Sequence, residues 1–310
     1  MSGLNSQTKV QALGLCRWSY PSDSKGFKRG SDTLEDLRAR LYTPERLEHR
    51  LFLLRHLVLP AIARQTDADF KLIFLMGDQL PAPWRGRILR QLAKIPQIVA
   101  VFAKEGQSQY ELARAVMSKY RDPAADVIAQ FRLDDDDAVA TDFVEKSRSV
   151  FDDIAPLYNS AGLFGLDFCR GMVMRSSREG CEFTPITMRF WAPGTVIFTA
   201  PDNPRSVIDF HHLRLWHEMP TLMWRDGPMF IRGAHHDNDS DIANLGRRAR
   251  SFQLDAPMDQ VLRERFALRP SRLRAAWAAN IETYLPDGTG EPLRIADEER
   301  EMSSINGDGG

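Results

Sequence analysis

The sequence predicts an α/β protein with a mainly parallel central sheet flanked by helices, and three observations carry this. The first half alternates short apolar runs with helical patterns, as a parallel sheet covered by helices requires. From Gly162 to Thr199 aromatics, Thr and Val dominate with Gly and Pro between them, a pattern of mixed or antiparallel strands. The length of 310 residues with 43% hydrophobic content suffices for one large domain or two small ones with a buried core.

The elements follow in order. Val10 to Trp18 reads as the first strand, and the polar stretch Ser19 to Asp32 as a long exposed loop. Thr43 caps a helix with Pro44 at its first position, and Leu47, Leu51, Leu54, Val58 and Ile62 form its buried stripe. Pro60 falls late in that stripe, where it kinks or ends the helix. Phe70 to Met76 is the second strand, stopped by Gly77-Asp78. Pro83 to Ala93 is a helix, Gln97 to Ala103 a third strand, Ser108 to Tyr120 a helix, and Asp126 to Leu133 a fourth strand. Thr141 to Ile154 suits a helix that follows directly on an acidic run. Pro193 to Thr199 and Pro228 to Arg232 are later strands, and Met258 to Phe266 and Ser271 to Tyr284 are helices. The polar, Gly-rich end from Pro286 to Gly310 reads as a mobile tail, and there is no internal repeat.

Composition narrows the function. With 41 basic against 42 acidic residues the formal net charge is −1, so no global field points to nucleic acid or an anionic membrane. Cys16, Cys169 and Cys181 are too few and scattered for a disulfide framework or zinc knuckle, which fits reduced thiols in a cytoplasmic protein. The N-terminus lacks the pattern of a signal peptide, and no segment approaches the ~20 apolar residues of a membrane span, so work at a membrane is expected to be peripheral. Neither Gly-x-x-x-x-Gly-Lys-Ser/Thr, nor Gly-x-Gly-x-x-Gly after the first strand, nor Gly-x-Ser-x-Gly occurs, which removes the main support for P-loop, dinucleotide-binding and serine-hydrolase readings.

The most informative feature is the run Asp134, Asp135, Asp136, Asp137, which closes the apolar stretch Asp126 to Leu133. Carboxylates this close repel and raise one another's pKa unless a counter-ion is supplied, and a hard divalent metal, Mn2+ or Mg2+, is the expected one. In an Asp-x-Asp at a strand end, one carboxylate can hold the cation while the other holds a ribose or completes the metal's ligands. The bland reading is a solvated acidic turn capping the next helix.

Leu133-Asp-Asp-Asp-Asp-Ala-Val-Ala-Thr-Asp-Phe-Val-Glu145 resembles the segment after the fourth strand of GT-A glycosyltransferases. Together with Cys16-Arg-Trp-Ser19, Leu59-Pro-Ala-Ile-Ala-Arg-Gln-Thr66, Asp69-Phe-Lys-Leu-Ile73 and Arg132-Leu-Asp-Asp-Asp-Asp137, it is similar to the bacterial "putative rhamnosyltransferase" family over approximately residues 10 to 245. The resemblance implies a GT-A-like nucleotide-diphospho-sugar transferase fold, with a catalytic domain over 1–250, a C-terminal helical appendage over 251–285 and the tail 286–310. It implies an enzyme that moves a sugar, such as rhamnose, from a dTDP-, UDP- or GDP-linked donor to a glycan, lipid-linked or protein hydroxyl. It also makes Asp136 the metal-binding carboxylate, with Asp137 in support, Asp134 at the ribose or metal, and Asp135 in the variable, solvated position.

Other site residues are expected around this run. Arg17 ends the first strand, at the edge where ligands collect on parallel sheets. By resemblance Asp78 receives the base of the nucleotide, although Met76-Gly-Asp-Gln-Leu departs from the usual Asp-Asp-x-Ser. His235, followed at two residues' remove by Asn238, resembles the family's late metal-ligand motif, with His211-His212 as a rival cluster. Arg132 is placed to pair with an aspartate. Inversion at the anomeric carbon is expected because no covalent nucleophile is evident, and it needs a general base. Asp167, Glu218 and Asp237 are candidates by chemistry, and Glu218, beside His217 and aromatics, is the choice. Two other classes stay open: a metal-dependent nucleotidyltransferase or phosphohydrolase using the same acidic edge, and a non-catalytic carbohydrate binder stacking sugars on Trp191, Trp216 or Trp224.

Overall fold

The computed structural model describes residues 8–23, 33–236 and 249–285. The expected tail 286–310 and most of the loop expected at Ser19 to Asp32 lie outside the described residues, as do Asp237 and Asn238.

Strand β1 (Val10–Arg17) is followed by α1 (Leu34–Leu41), which the sequence reading did not include. Its signal was local: the Thr33 side chain accepts from Asp36 N–H, and the Asp36 carboxylate reaches back to the Thr33 backbone, a reciprocal capping box. Thr43 caps α2 (Pro44–Leu53) as expected. The apolar stripe continues through a π turn over Leu54–Val58 into α3 (Leu59–Ile62). Pro60 therefore does not end the helix, because the widened turn ahead of it absorbs the missing N–H and the ring's clash.

Next come β2 (Phe70–Gly77), α4 (Ala82–Leu92), β3 (Ile98–Ala103), α5 (Gln109–Ser118) and β4 (Val127–Asp134). The acidic run does not lead straight into a helix. A three-residue strand, β5 (Asp137–Val139), intervenes, and α6 (Phe143–Ala161) begins after it, ending at Gly162, whose φ of 71° is the left-handed conformation of a helix stop. The aromatic-rich stretch supplies β6 (Leu163–Phe168), β7 (Arg170–Ser177), β8 (Gly180–Thr187) and β9 (Thr195–Thr199). Then follow β10 (Thr221–Trp224), β11 (Phe230–Ala234), β12 (Arg250–Ser251) and helices α7 (Met258–Phe266), α8 (Pro270–Ala278) and α9 (Ile281–Tyr284).

Seven strands form the central sheet in the order β10-β6-β9-β4-β1-β2-β3. β1 pairs in parallel with both β2 and β4, β2 with β3, and β10 with β6, while β9 runs antiparallel between β4 and β6. This is the expected α/β arrangement, mainly parallel, with one antiparallel strand, β9, inside the sheet. Both faces are covered, as parallel strands require. From β1, Ala12 and Cys16 enter the cluster that holds Leu47, Leu51, Phe131, Phe143 and Phe168, whereas Leu13 and Leu15 enter the opposite cluster with Leu112, Val116 and Ile197. The C-terminal helices add Phe266, Leu273, Trp277 and Tyr284 to the first cluster.

A second sheet, ordered β12-β8-β7-β11-β5, is joined to the first where β4 turns into β5. β5 pairs antiparallel with β11, setting Asp137 opposite Arg232. That short ladder carries the chain after β11 to the acidic run.

Candidate functional site

The four aspartates straddle the junction between the sheets. Asp134 is the last residue of β4 and Asp137 the first of β5, so the chain turns at Asp135 and Asp136. In the β1–β4 register Arg17 stands opposite Asp134. Gly233 of β11 lies against the turn, where an added Cβ would meet the Asp136 carbonyl oxygen at 2.5 Å. Only glycine permits this approach, and it delivers His235 to the turn.

Each carboxylate then has its own surroundings. Asp136 Oδ2 lies 2.9 Å from His235 Nε2 and 3.1 Å from Arg50 Nη1. Arg50 Nη1 also donates to Asp135 Oδ1 at 2.7 Å, while Asp135 Oδ2 accepts from Ser19 N–H at 3.2 Å. Asp134 Oδ1 is 3.6 Å from Arg17 Nη2, and its Oδ2 is 4.0 Å from Arg232 Nη1. Asp137 Oδ2 accepts from Asp134 N–H at 3.4 Å and lies 3.8 Å from Arg232 Nη1.

Two expectations are corrected here. Asp135 is not solvated: it is 6% exposed and paired with Arg50, because α2 passes directly over the turn. Nor does the negative charge wait on a metal alone, since Arg17, Arg50, Arg132 and Arg232 supply counter-charge from the protein itself. Their effects separate the four groups. Burial opposes ionisation of Asp136, but Arg50 and the His235 hydrogen bond prevail and hold its carboxyl well below the usual range. Burial likewise opposes Asp134, and Arg132, Arg17 and Arg232 outweigh it to lower its pKa. At Asp137 burial wins over Arg232, with Asp136 and Asp134 adding, so its pKa rises well above the carboxylate range. Burial also raises Asp135 despite Arg50.

Asp134, Asp136 and Asp137 each place a carboxylate oxygen within 4.8 Å of the others. Asp137 Oδ1 is buried with no hydrogen-bond partner among the described residues. An all-oxygen set with an unsatisfied buried acceptor fits a hard divalent cation such as Mg2+ or Mn2+.

The remaining expected residues are placed as follows. Arg17 is beside the run, and its Nη1 donates to Gln109 Oε1 at 2.5 Å. His235 is 2% exposed and in contact with Asp136. Asp78 stands just past β2, half-buried, with Oδ1 accepting from Glu105 N–H at 3.3 Å. Arg132 sits in the field of Asp134, and burial lowers its pKa. His212 shares that field: burial, Arg132 and Arg232 push it down to about 3 against the pull of Asp134. Glu218 is instead exposed and ion-paired with Arg205 at 2.7 Å, and none of its contacts among the described residues is with the run. Asp167 is fully buried, and its Oδ2 accepts from Phe190 N–H at 2.8 Å.

Sequence reasoning missed Arg50, Arg232 and His49. Arg232 carried a signal, as a charged residue ending an apolar strand. Arg50 and His49 carried none, since both read as polar positions of an amphipathic helix. A separate cleft of about 480 Å³, lined by Lys9, Gln11, Lys71 and Tyr120, lies at the amino end of β1, away from all these groups.

A family model described as "Putative rhamnosyl transferase" matches residues 11–247. Among solved structures, S. aureus TarS 1-349 in complex with UDP is 7% identical, with 72% of this chain and 60% of that chain covered and a TM-score of 0.37. Rv0371c from Mycobacterium tuberculosis H37Rv is 13% identical, with 72% of this chain and 92% of that chain covered and a TM-score of 0.28. The chain thus spans about 60% of the length of the TarS fragment. No curated protein matches the sequence.

Proposed function

Because the chain belongs to the family described as putative rhamnosyl transferases, we propose that it transfers a sugar from a nucleotide-diphosphate donor to a hydroxyl acceptor with the help of a divalent cation. The observation that carries this reading is the convergence of Asp134, Asp136 and Asp137 within 4.8 Å of one another at the carboxyl edge of the parallel strands, beside Arg17. When bound, the cation supplies positive charge to the diphosphate as it leaves with the glycosidic electrons. Arg17 and Arg232 border the same carboxylates and are suited to hold phosphate oxygens, which guanidinium groups bind in a fork. Asp78 is the proposed contact for the base, and Asp134 for the ribose or metal.

The family's name suggests rhamnose, and transfer with inversion needs a base at the acceptor. Glu218 is accessible for that role, but its carboxylate must first exchange the Arg205 pair for the acceptor hydroxyl. No described helix is long and apolar enough to cross a membrane, and on this reading a lipid-linked acceptor is met peripherally.

Calorimetry against dTDP, UDP and GDP, each with and without Mn2+, tests the proposal. Saturable binding of at least one diphosphate that depends on Mn2+ supports it; absent or metal-independent binding across the panel overturns it. Release of pyrophosphate from a nucleoside triphosphate, without sugar transfer, would assign the acidic edge to nucleotidyl transfer instead.

A further inference from the structure

Next to the carboxylates lies a second group of ligand atoms of a different kind. His49 comes from α2, one residue before Arg50, and His235 and His236 follow β11. One nitrogen from each ring lies within 4.8 Å of the other two. The His49 ring centroid is 4.9 Å from that of His235 and 5.8 Å from that of His236. We propose that these three histidines form a nitrogen site for a borderline transition-metal ion of the Zn2+ class, distinct from the oxygen site of the aspartates.

The state of His49 is the independent sign of a ligand. It is 1% exposed, and neither Nδ1 nor Nε2 finds a hydrogen-bond partner among the described residues. Leaving a buried polar group unsatisfied is costly, so a ring with two such atoms is unexpected unless something binds there. Phe52, Trp277 and Tyr284 surround the ring, with Trp277 and Tyr284 centroids at 5.5 and 5.7 Å. Those aromatic walls offer few of the polar partners that a buried water needs. Burial, with His235 and Arg50 adding, keeps His49 neutral, which is the ligating form of imidazole.

His235 links the two sites. With its Nε2 on Asp136 Oδ2 at 2.9 Å, Nδ1 becomes the basic nitrogen of the neutral ring. The result is a carboxylate–histidine–metal relay, in which the outer carboxylate fixes the tautomer and strengthens the ligand. Zn–N bonds of about 2.0–2.1 Å put tetrahedral nitrogens about 3.3 Å apart, so the cluster must contract by at most about 1.5 Å. Three nitrogens leave a fourth position for water. A metal here would tie α2 to the chain after β11 and thereby hold Asp136 and Arg50 in register.

The test uses the whole protein, stripped of metal and titrated with Co2+ as a spectroscopic stand-in for Zn2+. The variant His49→Phe keeps an aromatic ring among Phe52, Trp277 and Tyr284, and Asp134→Asn alters the oxygen site only. Wild type and Asp134→Asn are expected to bind one Co2+ with the intense d–d absorption of a four-coordinate nitrogen site, displaced by Zn2+. His49→Phe should bind at least about 100-fold more weakly, the upper end of what losing even an outer partner costs. Added Zn2+ should raise the unfolding temperature of wild type but not of His49→Phe. No such band in wild type, a band that survives in His49→Phe, or one lost in Asp134→Asn would each overturn the proposal. Sugar transfer is unaffected by that result, since its own test reads Mn2+-dependent nucleotide binding.

Discussion

Arg50 Nη1 lies 2.7 Å from Asp135 Oδ1, with the two side chains only 5% and 9% exposed, and the same nitrogen is 3.1 Å from Asp136 Oδ2. One guanidinium therefore holds two adjacent carboxylates from a helix residue 85 positions before Asp135 in sequence. Removing one member of a buried pair strands the other charge, which typically costs about 3–5 kcal/mol. Arg50→Met should lose stability of that order in urea unfolding, with Asp135→Asn in the Arg50→Met background recovering part of it. A loss within about 0.5 kcal/mol, the range of ordinary surface changes, would show that the pair contributes little.

The proposed division of labour among the aspartates predicts opposite phenotypes for neighbouring positions. Asp136→Asn is nearly isosteric and keeps an acceptor for His235 and Arg50, but removes a charge from the oxygen site. It should abolish Mn2+-dependent nucleoside diphosphate binding in calorimetry while the circular dichroism spectrum stays unchanged. Asp135→Asn should instead retain that binding and lose stability, because its partners are Arg50 and Ser19. Unchanged binding in Asp136→Asn would move the cation elsewhere.

The contrast between Asp135 and Asp136 also shows what could be read from sequence. The strands β1 to β4 and the stripe of α2 were legible because each is a local pattern of apolar residues at period two or three to four. The Asp-x-Asp run was legible as chemistry because carboxylates so close need compensation. What compensates them was not, since Arg50 meets Asp135 across 85 positions and its side chain looks in sequence like any charged helix residue. Strand β5 has three residues and makes sense only once paired with β11, so the delivery of His235 beside Asp136 was legible only by resemblance. The capping box of α1 was present, but its helix LEDLRARL is short and buries only Leu37 and Leu41, too faint a stripe to register.

Gly233 offers a test of that delivery. A methyl group there would meet the Asp136 carbonyl oxygen at 2.5 Å and the Asp136 Cβ at 2.9 Å, so the backbone has to move. Gly233→Ala should cost about 1–3 kcal/mol, the usual range for overpacking. It should also weaken Mn2+-dependent nucleotide binding, because the displaced atoms belong to a carboxylate of the site. Full stability with full binding would mean that β11 and the turn separate freely.

Asp167 predicts a pH dependence that is independent of the acidic run. Burial raises its pKa to about 7, against the Phe190 N–H and Arg189, which both favour ionisation. The folded protein then keeps a proton that the unfolded chain releases near pH 4. The unfolded state binds fewer protons across this window, so the free energy of unfolding falls as pH rises. The contribution is complete below about pH 4 and lost by about pH 7, with a size of order 4 kcal/mol. Asp167→Asn retains an oxygen to accept from Phe190 N–H and has no charge to bury. Measured by urea unfolding, its stability relative to wild type should therefore improve by about 2–3 kcal/mol between pH 5 and pH 8. Parallel profiles for the two proteins would show that Asp167 is ionised in the fold throughout that range.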